Sequence, residues 1–200
     1  MMKIVFATRN KGKVKEVKEM LQGIDVELFS LSDYDNVPEI VEDGATFLEN
    51  ALKKARTISV FTKEKVLADD SGLQVDILGG EPGIKSARYA GINATDDDNN
   101  RKLLVKLKGI PPQKRKASFF CALVLCDPDG KYKHYEASWR GVIVDAPRGE
   151  NGFGYDPIFM VPDLQMTAAE LPPEIKNEIS HRGQAFALLR KGLKIELEKK

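Results

Sequence analysis

Val66-Leu67-Ala68-Asp69-Asp70-Ser71-Gly72 decides how this chain is read, because an apolar, strand-like run delivers two carboxylates, a hydroxyl and a glycine to one place. Adjacent residues on a strand face opposite ways, so a single surface would receive only one of the two aspartates. Asp70, which abuts the Ser-Gly pair, is the stronger candidate for chemistry. Hard oxygens grouped in this way could hold a divalent cation. The same residues also suit a loop that hydrogen-bonds its own backbone, and the segment is read as an acidic turn at a strand end.

Upstream, Lys3-Ile4-Val5-Phe6-Ala7 has the character of a buried strand, and polar Thr8 to Lys13 separates it from Val14, Val17, Met20 and Leu21, which recur at helical spacing. Val26 to Leu31 predicts a second strand. A polar connection from Asp33 to Asp43 leads to Thr46 and Glu49, spaced as a capping box for a helix running to about Phe61. Downstream, Gly79-Gly80-Glu81-Pro82-Gly83 predicts a loop, followed by a short helix through Ala87 and Tyr89. Thr95-Asp96-Asp97-Asp98 reads as the start of a helix carrying Leu103, Leu104 and Leu107, with its acids well placed against the helix dipole. Between Lys116 and Val144 two strands flank the tight turn Asp127-Pro128-Asp129-Gly130. Arg148 to Gly152 is a flexible bridge, and Ile175 to Leu197 is helical. Early alternation of helices and strands with a later hairpin predicts an α/β chain built on a mixed sheet.

The 200 residues suit one large domain or two small lobes. With 31 basic against 30 acidic side chains there is no global field to draw nucleic acid or an anionic membrane. An anionic ligand must therefore be met by a local basic cluster. Cys121 and Cys126 lie in an apolar run without zinc-site spacing, and the only histidines are His134 and His181, so buried free thiols are expected rather than a structural zinc. The absence of a long apolar stretch or a signal-peptide pattern leads to the expectation of a soluble cytoplasmic protein.

Four further segments carry chemistry. Thr8-Arg9-Asn10-Lys11-Gly12-Lys13 sets hydrogen-bonding side chains and three cations at a helix start, where backbone N–H groups attract phosphate. It lacks the Walker spacing, and a capping residue with a solvated basic turn would look the same. Glu42-Asp43-Gly44 suits helix entry, yet Glu42 with Asp70 could also give Mg²⁺ the one or two carboxylates it takes beside substrate phosphate and water. Phe153-Gly154-Tyr155-Asp156 offers a flat ring beside unhindered backbone, a platform for a nucleobase or else an aromatic plug for the core. Lys176 and Ser180-His181-Arg182-Gly183-Gln184 form a donor-rich patch, which a capping serine and exposed charges would also explain.

Together with Phe47-Leu48-Glu49-Asn50-Ala51 and Gly83-Ile84-Lys85-Ser86-Ala87-Arg88-Tyr89, these segments in this order resemble the inosine/xanthosine triphosphate pyrophosphatase family, also called Ham1-like or RdgB-like proteins, from about Lys3 to Gly192. The resemblance implies a single domain over residues 1–200, an elongated two-lobed α/β fold around a long mixed sheet with a substrate groove, and a homodimer. It also implies Mg²⁺-dependent hydrolysis of dITP, ITP or XTP to the monophosphate and pyrophosphate, which would cleanse the nucleotide pool. Carried over by motif, Thr8, Arg9, Asn10, Lys11, Gly12 and Lys13 would hold the triphosphate, Glu42 and Asp70 the metal, and Asp70 would act as base. Ser71 would touch substrate, while Phe153, Gly154, Tyr155 and Asp156 would enclose base and sugar, and Lys176, His181 and Arg182 would complete the base pocket. Arg9 departs from the pattern, since the family more often has glycine there. Two rival classes use the same residues: a phosphatase with Asp69 or Asp70 as phosphoryl-accepting nucleophile, and a non-catalytic nucleotide or single-stranded RNA binder. The Ser-His-Arg-Gly segment fits this family better than the related Maf-type pyrophosphatases.

Overall fold

The structure, a computed structural model, describes residues 1–198. β1 (Met2–Phe6), α1 (Lys11–Met20) and β2 (Val26–Ser30) make a parallel βαβ unit, and α2 (Phe47–Thr62) then leads to β3 (Lys65–Val75), which pairs parallel with β1 on its other side. After α3 (Asp96–Lys106) come β4 (Lys116–Cys126) and β5 (Tyr132–Ile143), neighbours in the sheet joined through a turn in which the Gly130 N–H donates to Asp127. Short strands β6 (Phe159–Val161) and β7 (Met166–Thr167) follow, then α4 (Pro173–Ile179) and α5 (His181–Leu197). The strand order is β2-β1-β3-β4-β5-β6-β7, parallel at β2-β1-β3 and antiparallel at β5-β6-β7. The mixed α/β sheet expected from the sequence is therefore present.

Two compact units divide the chain: residues 1–70, 121–137 and 182 onward form one, and 71–120 with 138–181 form the other. The first has a core in which Ile4, Phe6 and Leu67 meet Val17 of α1, Leu21 just past its end, and Phe186 and Leu189 of α5. In the second, Leu73, Leu103, Phe119, Trp139 and Phe159 pack together, with the Phe119 and Phe159 rings 4.5 Å apart. Among the described residues no helix is long and apolar enough to cross a membrane. Both cysteines are buried and unbridged, as anticipated.

Three details differ from the sequence reading. The acidic segment is no turn: Asp69, Asp70, Ser71 and Gly72 all lie inside an unbroken β3. Turn-favouring residues are overridden because both carboxylates are buried against cations and an amide, which supplies the bonds a turn would have offered. The last helical stretch is two helices, interrupted where Ser180 is extended at φ −69°, ψ 162°. The capping box of α2 is half formed, since Thr46 accepts from the Glu49 N–H at 3.1 Å while the Glu49 carboxylate takes the Ala45 N–H. The strands β6 and β7, three and two residues long, carry too little pattern to be foreseen.

The Thr46 cap starts the helix that faces β3, so Thr46→Ala should lower stability by about 1 kcal/mol in equilibrium urea unfolding. An unchanged unfolding midpoint would show that the cap carries no weight.

Candidate active site

β1 ends at Phe6 opposite Leu67, and the Ala7 N–H still reaches the Leu67 carbonyl, but β3 runs on. At about 3.3 Å per residue its next residues overshoot β1 by several ångströms, beside the loop that β1 feeds into α1. This is the point where the strand order switches from β1 to its two neighbours, the usual place for a site in a parallel sheet. Within the loop, Thr8 Oγ1 accepts from the Asn10 N–H and Asn10 Oδ1 from the Lys13 N–H, each at 3.1 Å, so Asn10 is the N-cap of α1. Arg9, Lys11 and Gly12 are exposed, leaving a cationic helix start open to an anion.

Strand alternation sends the two aspartates to opposite faces. Asp69 shares the Leu67 face and meets Lys13 Nζ at 2.9 Å and Arg182 Nη2 at 3.2 Å, while Arg182 Nη1 donates to Glu16 at 2.7 Å. Asp70 faces α2: Asn50 Nδ2 donates to it at 3.2 Å and Lys54 Nζ lies 3.4 Å away. Lys54 also pairs with Glu42 at 3.2 Å, and Asn50 Oδ1 accepts the Gly44 N–H at 2.8 Å, so one helix ties the Glu42 loop to the strand. Glu42 and Asp70 thus share an ammonium. Among the described residues no three His, Cys, Asp or Glu side chains cluster as a metal site, yet these two carboxylates fit a hard cation that completes its shell with phosphate and water.

The charges separate the two acids. Burial alone would raise Asp69, but Lys13, Arg182 and Lys54 outweigh it and hold the carboxyl far below the usual range. Asp70 is raised, first by burial, against the pull of Lys54, with Glu42 and Asp69 adding like-charge repulsion. Lys54 is raised because Asp70, Asp69 and Glu42 together exceed its burial cost.

The second unit holds the aromatic loop. Phe153 is half-buried with Lys176 Nζ 4.9 Å from its ring centre, and Lys176 donates to Asp156 at 2.7 Å. Asp156 also accepts the Phe153 N–H at 2.9 Å, closing the loop on itself. Gly152, at φ +79°, is needed on two counts, since a Cβ there would sit 2.1 Å from the Asp156 carboxylate. The buried Tyr155 donates to the Ser86 carbonyl at 2.8 Å, and His181 stacks on Phe119 with ring centres 4.8 Å apart. Ser71 is half-buried in β3.

Arg182, only 3% exposed, belongs to the first unit, where Glu16 and Asp69 bracket its guanidinium. Asn50, Lys54 and Glu16 were missed as site residues. A signal existed for two of them: Asn50 and Lys54 fall on the same helical stripe as buried Phe47, Ala51, Ala55 and Ile58, where a polar residue must have a partner.

A profile of the Ham1 family matches residues 4–192. The chain belongs to the Ham1 family. Curated relatives named dITP/XTP pyrophosphatase include those of Geobacter sulfurreducens, 52% identical over 95% of this chain and 96% of the relative, and Bacillus licheniformis, 50% identical over 94% and 96%. Among solved structures, a HAM1 protein from Coxiella burnetii is 44% identical and superposes with a TM-score of 0.89 over 97% of this chain and 99% of that one. A nucleoside-triphosphatase, dITP/XTP pyrophosphatase from Mycobacterium abscessus, gives 0.77 at 46% identity over 94% and 98%.

For this Ham1 family member the two aspartates should respond oppositely to neutralisation. The depressed Asp69 adds stability above the ordinary carboxylate pKa, lost as pH falls through its lower folded value; the raised Asp70 subtracts stability as pH rises through its higher one. At pH 7, Asp69→Asn should cost about 3–5 kcal/mol by stranding buried cations. Asp70→Asn should melt no lower than the parent. Thermal and urea unfolding of both variants checks this, and the reverse order would contradict the assignment.

Proposed function

We propose that this chain hydrolyses dITP, ITP and XTP to the nucleoside monophosphate and pyrophosphate, removing deaminated purines from the nucleotide pool. The observation that carries the reading is the buried Asp70, raised in proton affinity and set beside Glu42 and Lys54 at the end of β1, where a cationic helix start stands ready for a polyphosphate. The names of relatives about half identical over nearly the whole chain support it.

In this reading Thr8 to Lys13 hold the triphosphate through backbone N–H groups and the ammonium of Lys13. Unit charges about 4 Å apart interact by roughly 4 kcal/mol at an effective dielectric of 20, so one lysine matters greatly for a ligand of high charge. Glu42 and Asp70 would hold Mg²⁺, which when bound offsets negative charge on the phosphates. Asp70 accepts a proton from water as the water oxygen bonds to the α-phosphorus. The bond from that phosphorus to its bridging oxygen breaks, and pyrophosphate departs with its charge spread toward Lys13. Arg182 braces Asp69 and Glu16 and so fixes α1 against β3.

Phe153 to Asp156 enclose base and sugar in the same proposal, with Lys176 and His181 facing the base and Ser71 touching substrate. Lys176 is donor-only, so it satisfies a 6-oxo group and opposes the 6-amine of adenine. A donor left unmatched in a dry site discriminates by as much as about 10⁴-fold. Guanine also carries a 6-oxo group, so its exclusion must act on the 2-amino group. A homodimer and a cytoplasmic setting belong to this proposal on the strength of the family resemblance.

Pyrophosphate release across a nucleotide panel with Mg²⁺ tests the reading. dITP, ITP and XTP should turn over well and ATP poorly, activity should vanish with a chelator and return with Mg²⁺, and orthophosphate release or equal use of ATP would contradict it. Asp70→Asn should remain folded with kcat lowered at least about 100-fold. Near-normal turnover in that variant would remove Asp70 from the chemistry.

A further inference from the structure

Gly154 lies in the left-handed region at φ +64° with open space where a Cβ would stand, so glycine is there for its backbone conformation rather than for room. Both of its backbone polar groups are taken by one helix. The Gly154 N–H donates to Asp96 Oδ2 at 2.7 Å, and the Gly154 carbonyl accepts from Asn100 Nδ2 at 2.9 Å. Asp96 and Asn100 stand four apart on α3, hence on one face, and the first turn of that helix is fixed by a complete capping box between Thr95 and Asp98.

We propose that Asp96 and Asn100 are positioning residues for base recognition, which rests on the base-loop role proposed for Phe153 to Asp156. The N–H of Gly154 belongs to the peptide plane shared with Phe153, and its carbonyl to the plane shared with Tyr155. Pinning both planes sets the direction in which the Phe153 ring leaves the backbone, and with it the ring's spacing from Lys176, 4.9 Å at present. Asp156 holds the Phe153 N–H from inside the loop, while α3 holds the next residue from outside. Asp96 is exposed, so its bond exchanges for water with little effect on the fold. Its effect falls on the order of the loop before a base arrives, and that order is recovered as affinity.

The test compares Asp96→Ala, Asp96→Asn and Asn100→Asp. Asp96→Ala should raise KM for dITP about tenfold, the worth of one charge-assisted hydrogen bond, with kcat and melting temperature nearly unchanged. Asp96→Asn should restore KM, because an amide oxygen still accepts the Gly154 N–H. Asn100→Asp, equal in shape, turns a donor into an acceptor against the Gly154 carbonyl and should raise KM and narrow the preference for dITP over ATP. Amide exchange in the free protein should show the Gly154 N–H losing protection in Asp96→Ala and keeping it in Asp96→Asn. An unchanged KM and exchange in Asp96→Ala, or a fall in kcat at constant KM, overturns the proposal. Calorimetric binding of dIMP decides the same question without turnover, so an inactive parent chain would count against the hydrolase reading alone.

Discussion

The alternation of side chains along one uninterrupted strand is the constraint on which the site depends. β3 outruns β1, and one residue past the last β1 pairing, beyond Ala68, come two adjacent aspartates that must face opposite ways. Each face is covered by different helices. Lys13 of α1 and Arg182 of α5 meet Asp69, with Glu16 of α1 holding the other side of the Arg182 guanidinium, and Asn50 and Lys54 of α2 meet Asp70. A shift of register by one residue would exchange the two carboxylates and place each in the wrong electrostatic surroundings.

Two acids of identical chemistry thereby acquire different surroundings and opposite shifts in proton affinity. Asp69 lies between the cations of Lys13 and Arg182, stays ionised and ties down the helix that the Thr8 to Lys13 segment leads into. Asp70 is raised in proton affinity first by its burial, against the pull of Lys54, and then by the nearby charges of Glu42 and Asp69. The second unit follows a similar logic with backbone instead of charge. Its aromatic loop is held at Gly154 by α3, at Tyr155 by the Ser86 carbonyl and at Phe153 by Asp156, so the ring is set before any ligand is present.

The strands and helices of the first half were legible because apolar spacing and caps agree there: Asn10, Thr46 and Thr95 each cap the helix they precede. The acidic segment misled because Asp, Ser and Gly favour turns locally, whereas their conformation is set by partners far away in sequence, Lys13 at 56 positions and Arg182 at 113. The ion pairs of Arg182 were hidden for the same reason, since Glu16 lies 166 positions away and Asp69 113. Asn50 and Lys54 could have been found, since polar side chains on the buried stripe of α2 demand partners. Glu16 carries no such mark, because a half-buried acid on α1 resembles any solvated one until Arg182 is placed beside it.

The separation of the two carboxylates can be read directly from the carboxyl carbons of Asp69 and Asp70, followed by NMR through a pH titration of the metal-free protein. Asp69 should stay ionised to the lowest pH at which the fold survives, and Asp70 should take up its proton above the ordinary aspartate value of about 3.9. Two carboxyls titrating together, or Asp70 protonating below Asp69, would contradict the account.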